Sequence, residues 1–409
     1  MTTIQDTPRY ASPVDYEAYG EYGPGRGFER AQSFQRPRYR FQGRITADGS
    51  SGYQAEPGRY HLYISWGCPW AQRTAIVRKL MGLEGVVSLS YVDDQRDGRG
   101  WAFRERRGPD PVNGFRFLAE AYEATEPGYD GHVSVPALWD RKTSRLVSNN
   151  FPDITIDLGT QFGPWADPAL DLYPAALRAE IDALNERIYQ TVNNGTYLVA
   201  GATTEEDYQR LRQLLIGTFG ELDERLAGRR FLFGAGITEA DVRLWPTLAR
   251  FDLSYNPLGK ISERRLTSYP NLWGYARDLY QHPAFRETTD FGAFGRFAEG
   301  PKPSFVNDAP WRIAVHISGE PVAADWDSPH HREALANALG NPRPGHRQCH
   351  DPGDQNALAG RVLAWPANGW FVQERAQGPD ENPGRRRAPG PPSQNRAGVS
   401  RKLVIWVWA

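Results

Sequence analysis

A chain of 409 residues is long enough for two or three domains and a sizeable core. Its formal net charge of −1 provides no long-range attraction for nucleic acid or an anionic membrane surface, and no stretch approaches the roughly twenty apolar residues of a membrane span. The two cysteines, Cys68 and Cys349, form no disulfide framework, and the polar start MTTIQDTPRYASPVDYEAYG lacks the apolar centre of a signal peptide, so a reducing, cytoplasmic setting is expected.

Residues 1–57 are rich in Gly, Tyr, Arg and Pro, show no helical period, and read as an irregular extension. Tyr60 to Trp66 is a short β-rich run and predicts a strand. Apolar residues at helical spacing (Ala71, Ile76, Val77, Leu80) predict a helix over 69–81, with Pro69 in the first turn and Gly82 as its stop. A strand over 86–92 follows, then a polar insertion over 93–114 and a short helix over 117–124. "GHVSVPALWD" and "RLVSNNFP" read as two strands, and 154–162 as a helix. The order β-α-β-α-β-β-α over 58–162 is that of a thioredoxin-like α/β domain.

"GPWADPALDLYP", 163–174, is a linker stiffened by three prolines. Residues 175–295 carry a helical period and predict an all-α C-terminal domain, with Thr238 and Asp241 as a capping pair and Ile237 stapled onto Val242. Residues 296–340 read as an irregular extension in which "APWRIAVHIS" suggests one strand. From 341 to 409, aperiodic Pro and Gly predict a disordered tail.

Cys68 falls where the first strand becomes the first helix. A helix start presents unpaired N–H groups and the positive end of the dipole, and Arg73 is near in sequence. This placement predicts a thiol pKa below the free value of about 8.5 and a nucleophilic role. The alternative is a small buried hydrophobe. Ala71 stands where a C-x-x-C motif has its second cysteine. Cys68 therefore has no internal resolving thiol, and an outside small thiol must complete any redox cycle. Val135-Pro136, before a strand, is where a thioredoxin-like fold places a cis proline against such a cysteine; an ordinary edge-strand proline is the alternative.

The stretches "YISWGCPWAQRT", "GWAF", "VSVPALWD", "VSNN", "QTVNNGTY", "AGATTEEDY", "RRFLFGAGITEADVRLWPTL", "RFDLSY" and "YPNLWGYARDLYQHP" run in order over about 58–290. Together they resemble the glutathione transferase superfamily, and within it the xi class of glutathionyl-hydroquinone reductases. The resemblance implies the glutathione transferase fold, a homodimer, and an enzyme that reductively strips a thiol adduct from a quinol through a mixed disulfide on Cys68. It implies that Trp101 and Val135 with Pro136 bind the cofactor thiol, and that Tyr197 and Tyr255 present hydroxyls to the quinol. For both tyrosines a packing role is the alternative, and for Trp101 the anchoring of a loop.

The chain departs from the family at two places. Asn150 and Phe151 stand where members usually carry Glu-Ser against the γ-glutamyl end of glutathione, so the co-substrate thiol is glutathione or a thiol without that head, such as mycothiol. "FGAFGRFAEGPKPSF" replaces the family's basic-aromatic segment after the last helix, so part of the acceptor wall differs. Tyr63 and Ser65 are rival hydroxyl activators, which would make a conjugating transferase; a non-catalytic binding protein on the same scaffold is the other rival. His330-His331 and His346 to His350 fit no standard zinc spacing, so no metal is expected. His282 reads as a structural cation at a helix end, and Arg385 to Arg387 as a solvated charge run rather than a nucleic-acid patch.

Overall fold

The structure, a computed structural model, describes residues 9–22, 39–295, 306, 308–315 and 323–338. Cys349, the second histidine cluster, the arginine run and the tail from 341 lie outside the described residues.

The first domain is built on four strands: β1 (Tyr60–Ile64), β2 (Ser88–Tyr91), β3 (Ala137–Asp140) and β4 (Arg145–Ser148). Their order is β2-β1-β3-β4, with β1 parallel to β2 and antiparallel to β3, and β3 antiparallel to β4. Every residue of β1 is buried, which explains a continuous apolar run in place of alternation. Helix α1 (Pro69–Leu80) crosses between β1 and β2, α2 (Ala119–Thr125) precedes β3, and α3 (Phe151–Thr160) follows β4. This is the expected thioredoxin-like order. Helix α3 begins three residues before the predicted start, because Pro152 falls in its first turn, where a missing N–H costs nothing. Gly82 adopts φ +67° after α1, a left-handed turn that suits glycine.

The second domain is helical. Its main members are α4 (Arg178–Ile188), α5 (Gly195–Gly201), α6 (Glu205–Leu226), α7 (Glu239–Arg250) and α8 (Pro270–Gln281). The Thr238–Asp241 capping box forms as expected, and Asp241 also accepts from the Leu232 N–H and the Tyr275 hydroxyl. "APWRIAVHIS" forms no strand over its described part, 309–315. Burial of Arg312 explains the difference: its side chain inserts among backbone carbonyls of the helical domain, and the segment spends its polar groups there and not on a neighbouring strand. Trp326 docks the later extension, packing on Trp245, Trp273, Tyr280 and Phe291.

The two domains meet where α1 lies against α7. The Gln72 amide nitrogen donates to the Thr288 carbonyl at 2.9 Å and to the Thr289 hydroxyl at 3.0 Å. Its oxygen accepts from Arg250 at 2.6 Å. Gln72 is buried, so its loss would remove one of the acceptors that hold the buried Arg250 charge. Gln72→Ala should lower stability by about 1–3 kcal/mol, read as an earlier urea midpoint at unchanged slope; an unmoved midpoint would show that this contact does not couple the domains.

Candidate functional site

Cys68 sits where β1 passes into α1. Its backbone is extended (φ −83°, ψ 115°), and the Ala71 N–H reaches its sulfur at 3.4 Å. Such N–H groups have no partner within the helix and favour negative charge at Sγ. On the opposite side the thiol donates to the Val135 carbonyl at 3.6 Å, and the Val135–Pro136 bond is cis.

Burial decides the ionisation. Cys68 is 3% exposed. Removal from water pushes its thiol above its ordinary value; the N–H groups of Ala71 and Trp70, then the charges of Arg250 and Arg96, pull the other way and do not overcome it. The lowered value expected from the helix start is therefore corrected: the local dipole acts as predicted, but desolvation outweighs it. The cation is also not the expected one. Arg73 lies over the rings of Trp70 and Phe151, at 4.5 and 4.7 Å, and donates to the Arg243 carbonyl.

Cys68 opens onto a cavity of about 680 Å³, counted out to solvent and lined in part by Arg96, Trp101, Tyr197, Arg250 and Tyr255. Its lining, mostly apolar and aromatic with a few polar groups, suits a small-molecule site. Trp101 is buried, the Arg96 guanidinium lies 3.9 Å from its ring, and its indole N–H has no hydrogen-bond partner among the described residues. A buried donor of this kind is suited to a ligand acceptor. Arg96 also lies over Tyr22 at 4.7 Å, and the Tyr22 hydroxyl donates to the Val133 carbonyl at 2.8 Å. The N-terminal extension thus braces the thiol side of the cavity.

The helical domain supplies the other wall. The hydroxyls of Tyr197 and Tyr255 are 3.0 Å apart, with their rings edge to face at 5.4 Å. Tyr197 is on α5; Tyr255 ends a wide turn, Phe251–Tyr255, that continues α7. Burial pushes both phenols up from their ordinary value, so both remain protonated donors at neutral pH. Arg250, also buried, donates to Gln72 Oε1, the Pro246 carbonyl at 2.9 Å and the Trp66 carbonyl at 3.1 Å. All three acceptors are uncharged. Its charge is therefore not neutralised by a hydrogen-bonded carboxylate, although Asp94, also in the cavity lining, acts on it through space.

Arg96 and Arg250 were not among the residues expected from sequence. Arg250 had a signal, a charge set in the apolar run Leu244 to Phe251. Arg96 had none, being one of several arginines in a polar insertion. Phe294 lines the cavity from the divergent segment, with Arg250 3.5 Å over its ring.

Asn150 and Phe151 stand at the start of α3 and do not line this cavity. The Asn150 amide donates to Asp153 at 2.7 Å, and Asp153 also pairs with Arg44 at 3.4 Å. The Phe151 ring is buried 5.2 Å from that of Trp70. The rival hydroxyls are committed elsewhere. Tyr63 donates to Asp110 at 3.1 Å, and Ser65 donates to Asp94 at 3.3 Å while accepting from the Gly67 N–H. His282 is corrected: burial lowers its pKa, and its neutral ring accepts from the Ala284 N–H, capping the turn Pro283–Arg286. No cluster among the described residues could hold a metal ion, and none of their helices is long and apolar enough to cross a membrane.

Comparison with known proteins places the chain in a family. Residues 205–278 match the family described as glutathione S-transferase, C-terminal domain. The chain is 41% identical over 267 residues to glutathionyl-hydroquinone reductase YqjG of Escherichia coli, covering 63% of this chain and 81% of that protein. It is also 41% identical over 251 residues to glutathionyl-hydroquinone reductase PcpF of Sphingobium chlorophenolicum, covering 61% and 79%. Among solved structures, glutathione-bound YqjG aligns with a TM-score of 0.64 at 38% identity, over 72% of this chain and 96% of that one. A xi class transferase from Natrialba magadii aligns with a TM-score of 0.68 at 34% identity, over 75% and 95%. The chain is an enzyme of the glutathione transferase superfamily and belongs to its xi class, with the glutathionyl-hydroquinone reductases.

Proposed function

We propose that this enzyme reductively removes a low-molecular-weight thiol from S-conjugated hydroquinones, with Cys68 as the nucleophile. The observation that carries the reading is a single cavity with the Cys68 sulfur at one wall and the protonated Tyr197–Tyr255 pair at another. Cys68 gives up its proton and attacks the sulfur of the conjugate. The new S–S bond forms as the aryl carbon–sulfur bond breaks, and the aryl carbon keeps that electron pair and takes a proton. The phenol pair, one hydroxyl donating to the other, gives its remaining O–H to the quinol oxygen on which charge gathers. A second thiol then attacks the mixed disulfide, so that one disulfide leaves and Cys68 returns to its starting state. Arg250 and Arg96 stabilise the sulfur anion whenever it forms. Two relatives named glutathionyl-hydroquinone reductases support this chemistry, and the hydrogen-bonding of Tyr63 and Ser65 to structural partners disfavours a hydroxyl-activated conjugating transferase.

The co-substrate is glutathione or mycothiol; although Asn150 and Phe151 lie outside the cavity lining, the residues that open α3 favour the second. Glutathione ends in a charged α-amino acid head. At this helix start Asn150 brings no charge, Phe151 brings no donor, and the Asp153 carboxylate is taken by Asn150 and Arg44. A glutathione-bound relative supports the first choice.

Cys68→Ser should reduce reductase turnover to background, and the wild-type protein treated with a conjugate should gain the mass of one thiol on Cys68. Retained turnover in Cys68→Ser would remove the cysteine mechanism, and newly gained conjugation would favour the serine-type rival. Competition between glutathione and mycothiol for reduction of the Cys68 mixed disulfide should favour mycothiol. A clear preference for glutathione would refute that choice and leave the reaction standing.

A further inference from the structure

Arg312 lies in the C-terminal extension, outside the cavity lining, and is buried. Its guanidinium donates to the Gly259 carbonyl at 3.0 Å, to that of Ala200 at 2.9 Å and to that of Ala202 at 3.0 Å. These carbonyls close two helical segments. Ala200 belongs to α5, the helix of Tyr197, and Ala202 caps its end. Gly259 ends the turn Asn256–Gly259, which directly follows Tyr255. Helix ends leave carbonyls without partners inside the helix, and a cation there is favoured by the dipole. One planar fork therefore spans the ends of both segments that carry the tyrosines.

The surroundings fix that fork. Arg312 lies over the ring of Tyr208 at 4.8 Å. The Tyr208 hydroxyl accepts from the Ile313 N–H at 3.3 Å and donates to the Lys260 carbonyl. The two segments also approach closely. A Cβ added at Gly259 would come within 2.9 Å of Ile261 and 3.5 Å of the Ala200 side chain. Ala200 and Leu258, one from each segment, line the cavity beside the tyrosines.

We propose that Arg312 is a positioning residue: it clamps the helix of Tyr197 to the turn after Tyr255, and so sets the spacing of the phenol pair that receives the quinol. This rests on the reaction proposed above. A second arginine of the same extension provides the control. Arg332 is also buried and donates to the Leu226 carbonyl at 2.9 Å and, more weakly, to that of Asn271, but its acceptors carry neither tyrosine.

The test compares Arg312→Gln, Arg312→Lys and Arg332→Gln in the full chain. Turnover of an S-conjugated hydroquinone, alkylation of Cys68 by iodoacetamide and the thermal midpoint are read for each. Arg312→Gln should lose about tenfold or more in kcat, the scale of a small misplacement of reacting groups, while Cys68 alkylation stays near wild type. Arg312→Lys, which keeps the charge and part of the donation, should recover some of that kcat. Arg332→Gln should lose thermal stability and keep its kcat. Fluorine NMR of fluorotyrosine-labelled enzyme, with Tyr197→Phe and Tyr255→Phe for assignment, reads the pair without turnover. Arg312→Gln should shift both signals, and Arg332→Gln neither. Unshifted signals in Arg312→Gln, or an equal kcat loss in Arg332→Gln, would overturn the clamp. If the wild-type enzyme does not turn over the conjugate, the functional reading falls and the fluorine signals alone decide the clamp.

Discussion

The structure turns on a contest at one sulfur atom. The start of α1 offers Cys68 a backbone N–H at 3.4 Å, and a buried arginine adds charge from the far side of the domain boundary. Against both stands the near-complete exclusion of water from Sγ, and exclusion prevails. The resting group is then a thiol whose proton has a specific acceptor, the Val135 carbonyl. A buried thiol is also a poor target for adventitious oxidation, since susceptibility follows thiolate character and exposure.

Neither domain builds this environment alone. The thioredoxin-like domain supplies the cysteine, the cis Val135–Pro136 corner and Trp101. The helical domain supplies both phenols and Arg250, whose charge is held in place by acceptors on the first domain, Gln72 and the Trp66 carbonyl. The two extensions then reinforce opposite walls. Tyr22 closes over Arg96 on the thiol side, while Arg312 joins the ends of the two segments that carry the phenols.

Much of this was legible in the sequence, and for local reasons. The β1–Cys68–Pro69 junction is encoded within ten residues by an apolar run, a cysteine and a proline that fits a first turn. The phenol pair and Trp101 were legible only through resemblance, because nothing within "NNGTY" or "GWAF" says what lies across from them. Three features escaped for a common reason. The sulfur's pKa depends on burial, the cation at the cavity on domain docking, and the fate of "APWRIAVHIS" on carbonyls about 50 and 110 residues earlier in the chain. Periodicity reports what a segment does with its neighbours in sequence. It does not report which distant surface will take up a lone arginine.

The ionisation of Cys68 tests the central claim most directly. The rate of its alkylation against pH, in the wild type, Arg250→Met and Arg250→Lys, measures the sulfur's proton affinity. The wild-type inflection should lie above that of cysteine in an unstructured peptide measured alongside, should move higher in Arg250→Met, and should stay near wild type in Arg250→Lys, which keeps the charge. An inflection at or below the ordinary value, or one indifferent to Arg250→Met, would contradict a buried thiol poised against a cation from the second domain.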